Sequence, residues 1–226
     1  MTMRKAEDIQ TEFTVLDQHD IRQSLKTIDI HQGKETLGVY LSPDGNNDNT
    51  TKVLKKKAEV WRDNIKTGHV DRNNAWLAVE TTIMKSLEYP LPALTLTQNQ
   101  CKEIMKPVLQ AALAKSSLSK IFPRAVLYGP KQEGGLQLND LYTSQGLSHI
   151  QKFQQHIDKP SITGKLIRVS METAILEVGI GRNIFNLNYN KFGLLLSECW
   201  IKSIWRYCSE NNIMIDHKTG SFPDLH

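Results

Sequence analysis

Thr50-Thr51-Lys52-Val53-Leu54-Lys55-Lys56-Lys57-Ala58-Glu59-Val60-Trp61-Arg62-Asp63-Asn64-Ile65-Lys66-Thr67-Gly68 is the stretch that decides the fold class. Leu54, Ala58, Trp61 and Ile65 recur at helical spacing, so one face is apolar and the rest is charged. Thr50 or Thr51 is suited to cap the start, and Gly68 to close the end. A strand would bury every second residue, and here that would bury lysines.

The same period continues downstream. Asp71 or Asn73 caps a second helix with Ala75, Trp76, Val79, Ile83 and Leu87 on one stripe, stopped by Tyr89-Pro90-Leu91-Pro92. A short Gly-containing turn between the two predicts an antiparallel helical hairpin. Thr97-Gln98-Asn99-Gln100 fits a capping box for a third helix through Ile104, Val108, Leu109, Ala112 and Leu113. Pro107 within it predicts a kink or an irregular first turn. Residues 116–138 read as a connecting segment broken by Pro123, Gly129-Pro130 and Gly134-Gly135, with Ala125 to Tyr128 extended. Helices then resume. Asn139 or Asp140 caps a stripe of Leu141, Leu147, Ile150 and Phe153, Ser161 opens another through Leu166, Val169, Ile175 and Leu176, and a last helix spans about Lys191 to Ser209. The tail after Ile215 is polar and reads as loose.

Upstream of Asn49 the pattern is different. Phe13-Thr14-Val15-Leu16, Thr27-Ile28-Asp29-Ile30 and Leu37-Gly38-Val39-Tyr40-Leu41 are β-favouring pieces that predict a small antiparallel meander. It ends at the turn-rich Ser42-Pro43-Asp44-Gly45-Asn46-Asn47. The expected fold is mainly α: a small N-terminal antiparallel β meander followed by a helical bundle.

Composition agrees with a folded globular chain. The 226 residues are 39% hydrophobic and 23% charged, with 13 Gly and 8 Pro, which excludes disordered and collagen-like classes. No apolar run reaches membrane-spanning length, and Met1 to Glu12 lacks the apolar core of a secretory signal, so an intracellular protein without a membrane partner is expected, nuclear or cytoplasmic left open. Cys101, Cys199 and Cys208 lie far apart without a CxxC pair, so they read as buried thiols rather than disulfide or zinc ligands.

Several chemical motifs are incomplete. Gly129-Pro130-Lys131-Gln132-Glu133-Gly134-Gly135 has the glycine spacing of a phosphate loop, but Gly135 and Leu136 stand where Lys and Ser/Thr belong, so it reads as a structural turn. Asp44, Asn46 and Asp48 alternate like a calcium loop, yet Lys55 takes the place of the closing carboxylate. His149 and His156 fit one helix face, but no further ligand stands near. There is no Gly-x-Ser-x-Gly elbow.

The basic residues carry more. Lys52, Lys55, Lys56, Lys57, Arg62 and Lys66 crowd one helix against Glu59 and Asp63, and Lys102, Lys106, Lys115, Lys120, Arg124 and Lys131 cluster against Glu103, in a chain of net charge +4. Such density suits a phosphate backbone, although a lysine-rich helix is commonly a solvated face. Trp61, Trp76, Trp200 and Trp205 fall on apolar stripes and read as core.

Thr36-Leu37-Gly38-Val39-Tyr40-Leu41-Ser42-Pro43-Asp44-Gly45, followed by the lysine-rich helix with Trp61, resembles the segment just downstream of the catalytic palm in retrotransposon reverse transcriptases. The similarity continues through Tyr89-Pro90-Leu91-Pro92-Ala93, Cys101 to Pro107, Phe122-Pro123-Arg124, Tyr128-Gly129-Pro130, Gly134-Gly135-Leu136, Gln145-Gly146 and Cys199-Trp200-Ile201-Lys202-Ser203-Ile204-Trp205. It covers roughly Thr36 to Asn212 and rests on order and spacing. The resemblance implies that 1–48 is a palm remnant with the primer-grip hairpin, 49–115 a thumb-like bundle, 116–138 a connection, 139–212 a second helical subdomain and 213–226 a tail. It places Leu37, Gly38 and Val39 in the grip, and Lys52, Lys55, Lys56, Lys57, Arg62, Lys66, Lys106 and Arg124 against a template–primer duplex.

The departure from the family is a chemical one. Polymerisation needs gathered carboxylates to hold two magnesium ions, and this sequence has no Asp-Asp pair. The expectation is a non-catalytic fragment of a reverse-transcriptase-like polyprotein with sequence-independent nucleic-acid affinity. It needs no cofactor of its own, because magnesium would belong to the missing palm, and another chain could supply palm and fingers. The competing expectations are a helical scaffold or interaction module without a nucleic-acid role, and an enzyme whose site is assembled from distant residues.

Overall fold

The computed structural model describes residues 13–25, 33–42 and 44–216. It is mainly helical, with two small antiparallel hairpins at the N-terminal end. Strand β1 (Phe13–Leu16) pairs with β2 (Arg22–Leu25), and β3 (Lys34–Thr36) with β4 (Val39–Leu41). The β piece expected at Thr27–Ile30 lies outside the described residues. The piece expected at 37–41 begins two residues late, because Leu37 (φ 51°) and Gly38 (φ 79°) form the turn that joins β3 to β4. Two consecutive left-handed residues give a two-residue hairpin the twist of its strands. The Tyr89 hydroxyl donates to the Leu37 carbonyl at 3.0 Å and ties this turn to the helices.

Helix α1 (Asp48–Thr67) starts a turn earlier than expected, with Asn47 at its cap position. Thr50, expected as a cap, is instead buried and donates its hydroxyl to the Tyr40 carbonyl, joining α1 to β4. The alternating Asp44 and Asn46 side chains accept from the amides of Asn46 and Asp48 at 3.0 and 2.7 Å, which accounts for their spacing as a turn entering a helix.

Asp71 caps the second helical stretch, which runs as α2 (Arg72–Ala78), a π-turn (Val79–Ile83) and α3 (Met84–Glu88). The sequence period explains the π-turn. Ala75, Val79, Ile83 and Leu87 are spaced by four throughout and are all buried. In a regular α-helix each such step drifts by about 40°. The wider π-turn takes up the drift and keeps all four on the core.

The capping box at Thr97 and Gln100 opens α4 (Gln98–Lys115), which continues as one helix through the buried Pro107. Asn47 donates to Thr95, Lys55 lies 3.8 Å from Glu103, and Lys115 donates to the Gly68 carbonyl. The numbers rise together, so α1 and α4 lie parallel, and theirs is the most extensive helix contact in the fold. The expected α1/α2 hairpin is present in a looser form: the 72–88 stretch returns along α1, where the Trp61 indole donates to Thr82 at 3.0 Å.

Two expectations about local structure are corrected. Ala125–Tyr128 is not extended but lies within the short helix α5 (Arg124–Tyr128), which follows Pro123 and buries Leu127. The amides of Leu136, Gln137 and Leu138 donate to the carbonyls of Val126, Gly129 and Leu127, so the glycine-rich turn folds back on α5. A Cβ on Gly135 would stand 2.1 Å from the Gly129 carbonyl oxygen. That close approach is the reason for the glycine. The long helix expected at 191–209 is broken into α8 (Tyr189–Phe192), a 3-10 turn and α9 (Trp200–Glu210). Leu196 turns inward in extended conformation, and Glu198 ion-pairs with Lys202 and Arg206 at 2.7 and 2.8 Å, so a new helix starts at Cys199.

Asp140 caps α6 (Leu141–His156) and Ser161 caps α7 (Ile162–Val178). Their buried faces differ from the expected stripes. In α6 Leu147 is exposed while Tyr142, Gln145, Gly146 and His149 are buried. In α7 Leu166, Val169 and Leu176 are exposed while Met171, Ala174, Ile175 and Val178 are buried.

Two apolar cores result. The first gathers α1, the 72–88 stretch, α4, Leu127, Leu138, Leu141 and Tyr142, with Val39 from β4 and Tyr207 from α9. The second gathers Phe153, Ile157, the inner face of α7, Ile184, Phe185, Leu196 and most of α9. The first core also takes in the segment 91–96, in which Leu91, Leu94 and Leu96 are almost wholly buried. The Gln145 amide receives the Leu96 amide and donates to the Leu96 carbonyl, both at 3.0 Å. His149 Nε2 donates to the Leu91 carbonyl at 3.2 Å, and the Trp200 indole donates to that of Pro92 at 3.2 Å.

Gly146 is where α6 and α9 meet most closely. A Cβ there would lie 2.4 Å from ring carbons of Tyr207. Gly146→Ala is expected to destabilise the fold by about 1–3 kcal/mol through overpacking, read as a lowered urea midpoint at unchanged slope.

Burial pushes the His149 imidazole down from 6.5 to about 4, against the opposing pull of the carbonyls that accept its proton. The folded state therefore holds this histidine neutral where the unfolded chain has already charged it. Its contribution is complete above pH 6.5 and is lost as pH falls toward 4, by about 3 kcal/mol in all. Unfolding free energies of the wild type and of His149→Gln, measured from pH 7.5 to 4, should converge by that amount as the acid limit is approached.

Candidate nucleic-acid interface

Helix α4 carries two apolar stripes. Ile104, Val108, Ala111 and Ala112 lie on or beside the α1 side, while Cys101, Met105, Leu109 and Leu113 form a second row turned away from it. That second row is the floor of a cleft of about 830 Å³, closed on its far side by Lys120, Arg124 and Tyr128 and at one end by Asp140 and Thr143. Lys102 and Lys106 stand on the near rim. The cleft thus sets four cations against one carboxylate around an apolar floor.

The one carboxylate is already engaged. Asp140 caps α6 by accepting from the Thr143 amide and hydroxyl at 2.9 and 3.1 Å. Lys102 is steered by Gln98, whose carbonyl it meets at 2.9 Å. In the floor, burial pushes the Cys101 thiol up to about 12, with Asp140 adding to the rise. Burial and Asp140 also raise the Tyr128 phenol. The floor is therefore a neutral surface and the charge is carried by the rim. An arrangement of this kind suits an anion, whose charge the rim would neutralise.

Of the residues expected from the sequence, Lys106 and Arg124 meet at this cleft. Lys52, Lys55, Lys56, Lys57 and Lys66 are exposed along α1, and Lys55 approaches Glu103 of α4 at 3.8 Å. Lys56 and Lys57 border a second, shallower groove with Val60, Trp61 and Thr82. Arg62 closes its guanidinium on its neighbour Asp63, with bonds of 2.8 and 3.0 Å, so its fork is occupied. Leu37 and Gly38 project at the hairpin turn, Leu37 86% exposed, whereas the Val39 side chain belongs to the first core.

Lys102 and Lys120 complete the cleft. Both lie in the basic cluster visible in the sequence, from which Lys115 and Lys131 are drawn off, the first onto the Gly68 carbonyl and the second to 3.6 Å from Glu80. The signal that could have singled out the cleft is the doubled stripe of α4, which has more apolar surface than α1 alone can cover. Among the described residues, no His, Cys, Asp and Glu side chains group as metal ligands, and no helix is long and apolar enough to cross a membrane.

Comparison of the chain with protein-family models, with curated proteins and with solved structures finds no match.

The raised Cys101 thiol gives a direct check on the floor of the cleft. At pH 8 an alkylating reagent should leave Cys101 unmodified in the folded protein and label it fully in denaturant, as read by peptide mass spectrometry. Labelling of Cys101 at the rate of an open thiol would show that the floor is not packed as described.

Proposed function

We propose that this chain holds a nucleic-acid strand or duplex by its phosphates, without reading sequence, in the manner expected of a thumb and primer-grip region of reverse-transcriptase type. The observation that carries the proposal is the α4 cleft, where Lys102, Lys106, Lys120 and Arg124 converge over an apolar floor. Lysines neutralise phosphates as point charges and read no base edges. The rim makes the contact surface, because Cys101, Met105, Leu109 and Leu113 are buried beneath it, and the exposed lysines of α1 extend the cationic surface beyond the cleft.

The role so assigned is one of holding. The two-metal step of polymerisation calls for clustered carboxylates, and the sequence has no adjacent aspartate pair. In this reading any magnesium chemistry belongs to a palm supplied by another chain. The retroelement ancestry is part of the same proposal and rests on the ordered motifs from Thr36 to Asn212.

Fluorescence anisotropy with a labelled RNA–DNA hybrid, titrated at several salt concentrations, tests the reading. Affinity should fall linearly on a log–log plot against salt, and Lys106→Glu with Arg124→Glu should lower affinity at least tenfold and flatten the slope by about 1.5. Lys191→Glu, exposed on α8, should leave both unchanged. Salt-independent binding, or equal loss in the control, would overturn the proposal.

A further inference from the structure

Helix α7 is apolar on two opposite sides, and only one of them is used. Its inner face packs Met171, Ala174, Ile175 and Val178 into the second core. On the other side Ile162 (78%), Leu166 (62%), Val169 (58%) and Leu176 (67%) are exposed, with exposed Thr173 completing the row. Their spacing is four, three, four and three, which is the seam of a heptad repeat and not the scatter of single surface residues.

The flanks of the seam choose a partner. In heptad terms Ile162, Val169 and Leu176 are d positions and Leu166 and Thr173 are a positions. Lys165 and Glu172 are then the g positions, and Thr163, Ser170 and Glu177 the e positions. A parallel pairing of two copies would set g against e of the next heptad and place Glu172 against Glu177, two like charges. An antiparallel pairing sets g against g. It places Lys165 of each copy beside Glu172 of the other, twice by symmetry, with Thr163 beside Ser170. In the same register Leu166 meets Val169 and Ile162 meets Thr173, while Leu176 extends beyond the start of the partner helix.

We propose that α7 pairs with α7 of a second copy of this chain, antiparallel about a two-fold axis, through the Ile162, Leu166, Val169 and Thr173 seam flanked by reciprocal Lys165–Glu172 contacts. A two-fold interface is self-complementary by construction, and this seam meets that requirement in both shape and charge. Two neighbouring charges are directed away from it: Arg168 is turned back onto the Ile157 carbonyl at 2.7 Å, and Glu177 accepts from the Ser197 amide at 2.9 Å. The seam is about 25 Å long at most. That is short for an obligate dimer, so association in the micromolar range is expected. The inference stands on α7 and is independent of the cleft.

Sedimentation velocity of the full chain from about 1 to 200 µM decides it. The expected result is a concentration-dependent passage from monomer to dimer. Leu166→Glu with Val169→Glu should abolish the dimer while far-UV circular dichroism and the melting temperature stay unchanged, since both residues are exposed. Lys165→Glu should weaken association at least tenfold, and adding Glu172→Lys should restore it, because the exchange rebuilds the same contacts with reversed sign. A chain that stays monomeric throughout overturns the proposal, including the case in which it instead binds phospholipid vesicles. So does a dimer that survives Leu166→Glu with Val169→Glu, or a weakened dimer that the charge exchange fails to rescue.

Discussion

The segment 91–96 lies in the first core with its leucines buried and with no strand or long helix to satisfy its backbone. Buried amides and carbonyls left unpaired are costly, so something else must answer them. Gln145 pairs with both backbone groups of Leu96, His149 takes the Leu91 carbonyl, and Trp200 takes that of Pro92. Two of these side chains come from α6 and one from α9. Through them the polar requirement of one short linker locks the two apolar cores together and sets the rotation of α6 about its own axis.

That rotation has consequences along the first half of α6. At its start, Asp140 and Thr143 are carried to the end of the α4 cleft, where the carboxylate is held by capping and stands as one anion against the four rim cations. Further along, Gly146 faces α9 closely enough to admit the Tyr207 ring, which sits edge-on to Tyr142 at 5.6 Å. The parallel contact of α1 and α4 leaves the second stripe of α4 uncovered by α1, and α5 with the glycine turn walls it only partly. The cleft is what remains between them. Helix α7 needs one face for the second core, and its other face is left to solvent.

Helix existence was legible wherever period and caps agreed. Asp71, Thr97, Asp140 and Ser161 cap the helices for which their side chains qualify them, because a capping bond involves only residues three apart. The fold class followed from the same local signals. Where reading failed, packing outside the local period was the cause. The 125–128 segment reads as extended, but it forms a helix that buries Leu127 and takes residues 136–138 back onto it, and the 191–209 stretch breaks where Leu196 turns into the second core. The basic cluster of 102–131 was visible as composition, but its sorting was not. Lys115 and Lys131 are spent on partners far along the chain, and Lys102, Lys106, Lys120 and Arg124 are left to face one another.

The sequence alone determined the mainly helical class, the caps at Thr97 and Ser161, the turn character of the glycine-rich segment and the overall positive charge, since each depends on local residues or on composition. Tertiary structure alone decided which face of α6 and α7 is buried, that α1 runs parallel to α4, and which cations share a cleft. Those outcomes depend on side-chain contacts between residues some fifty to a hundred positions apart, such as Leu96 with Gln145 and Pro92 with Trp200, and no local period encodes them.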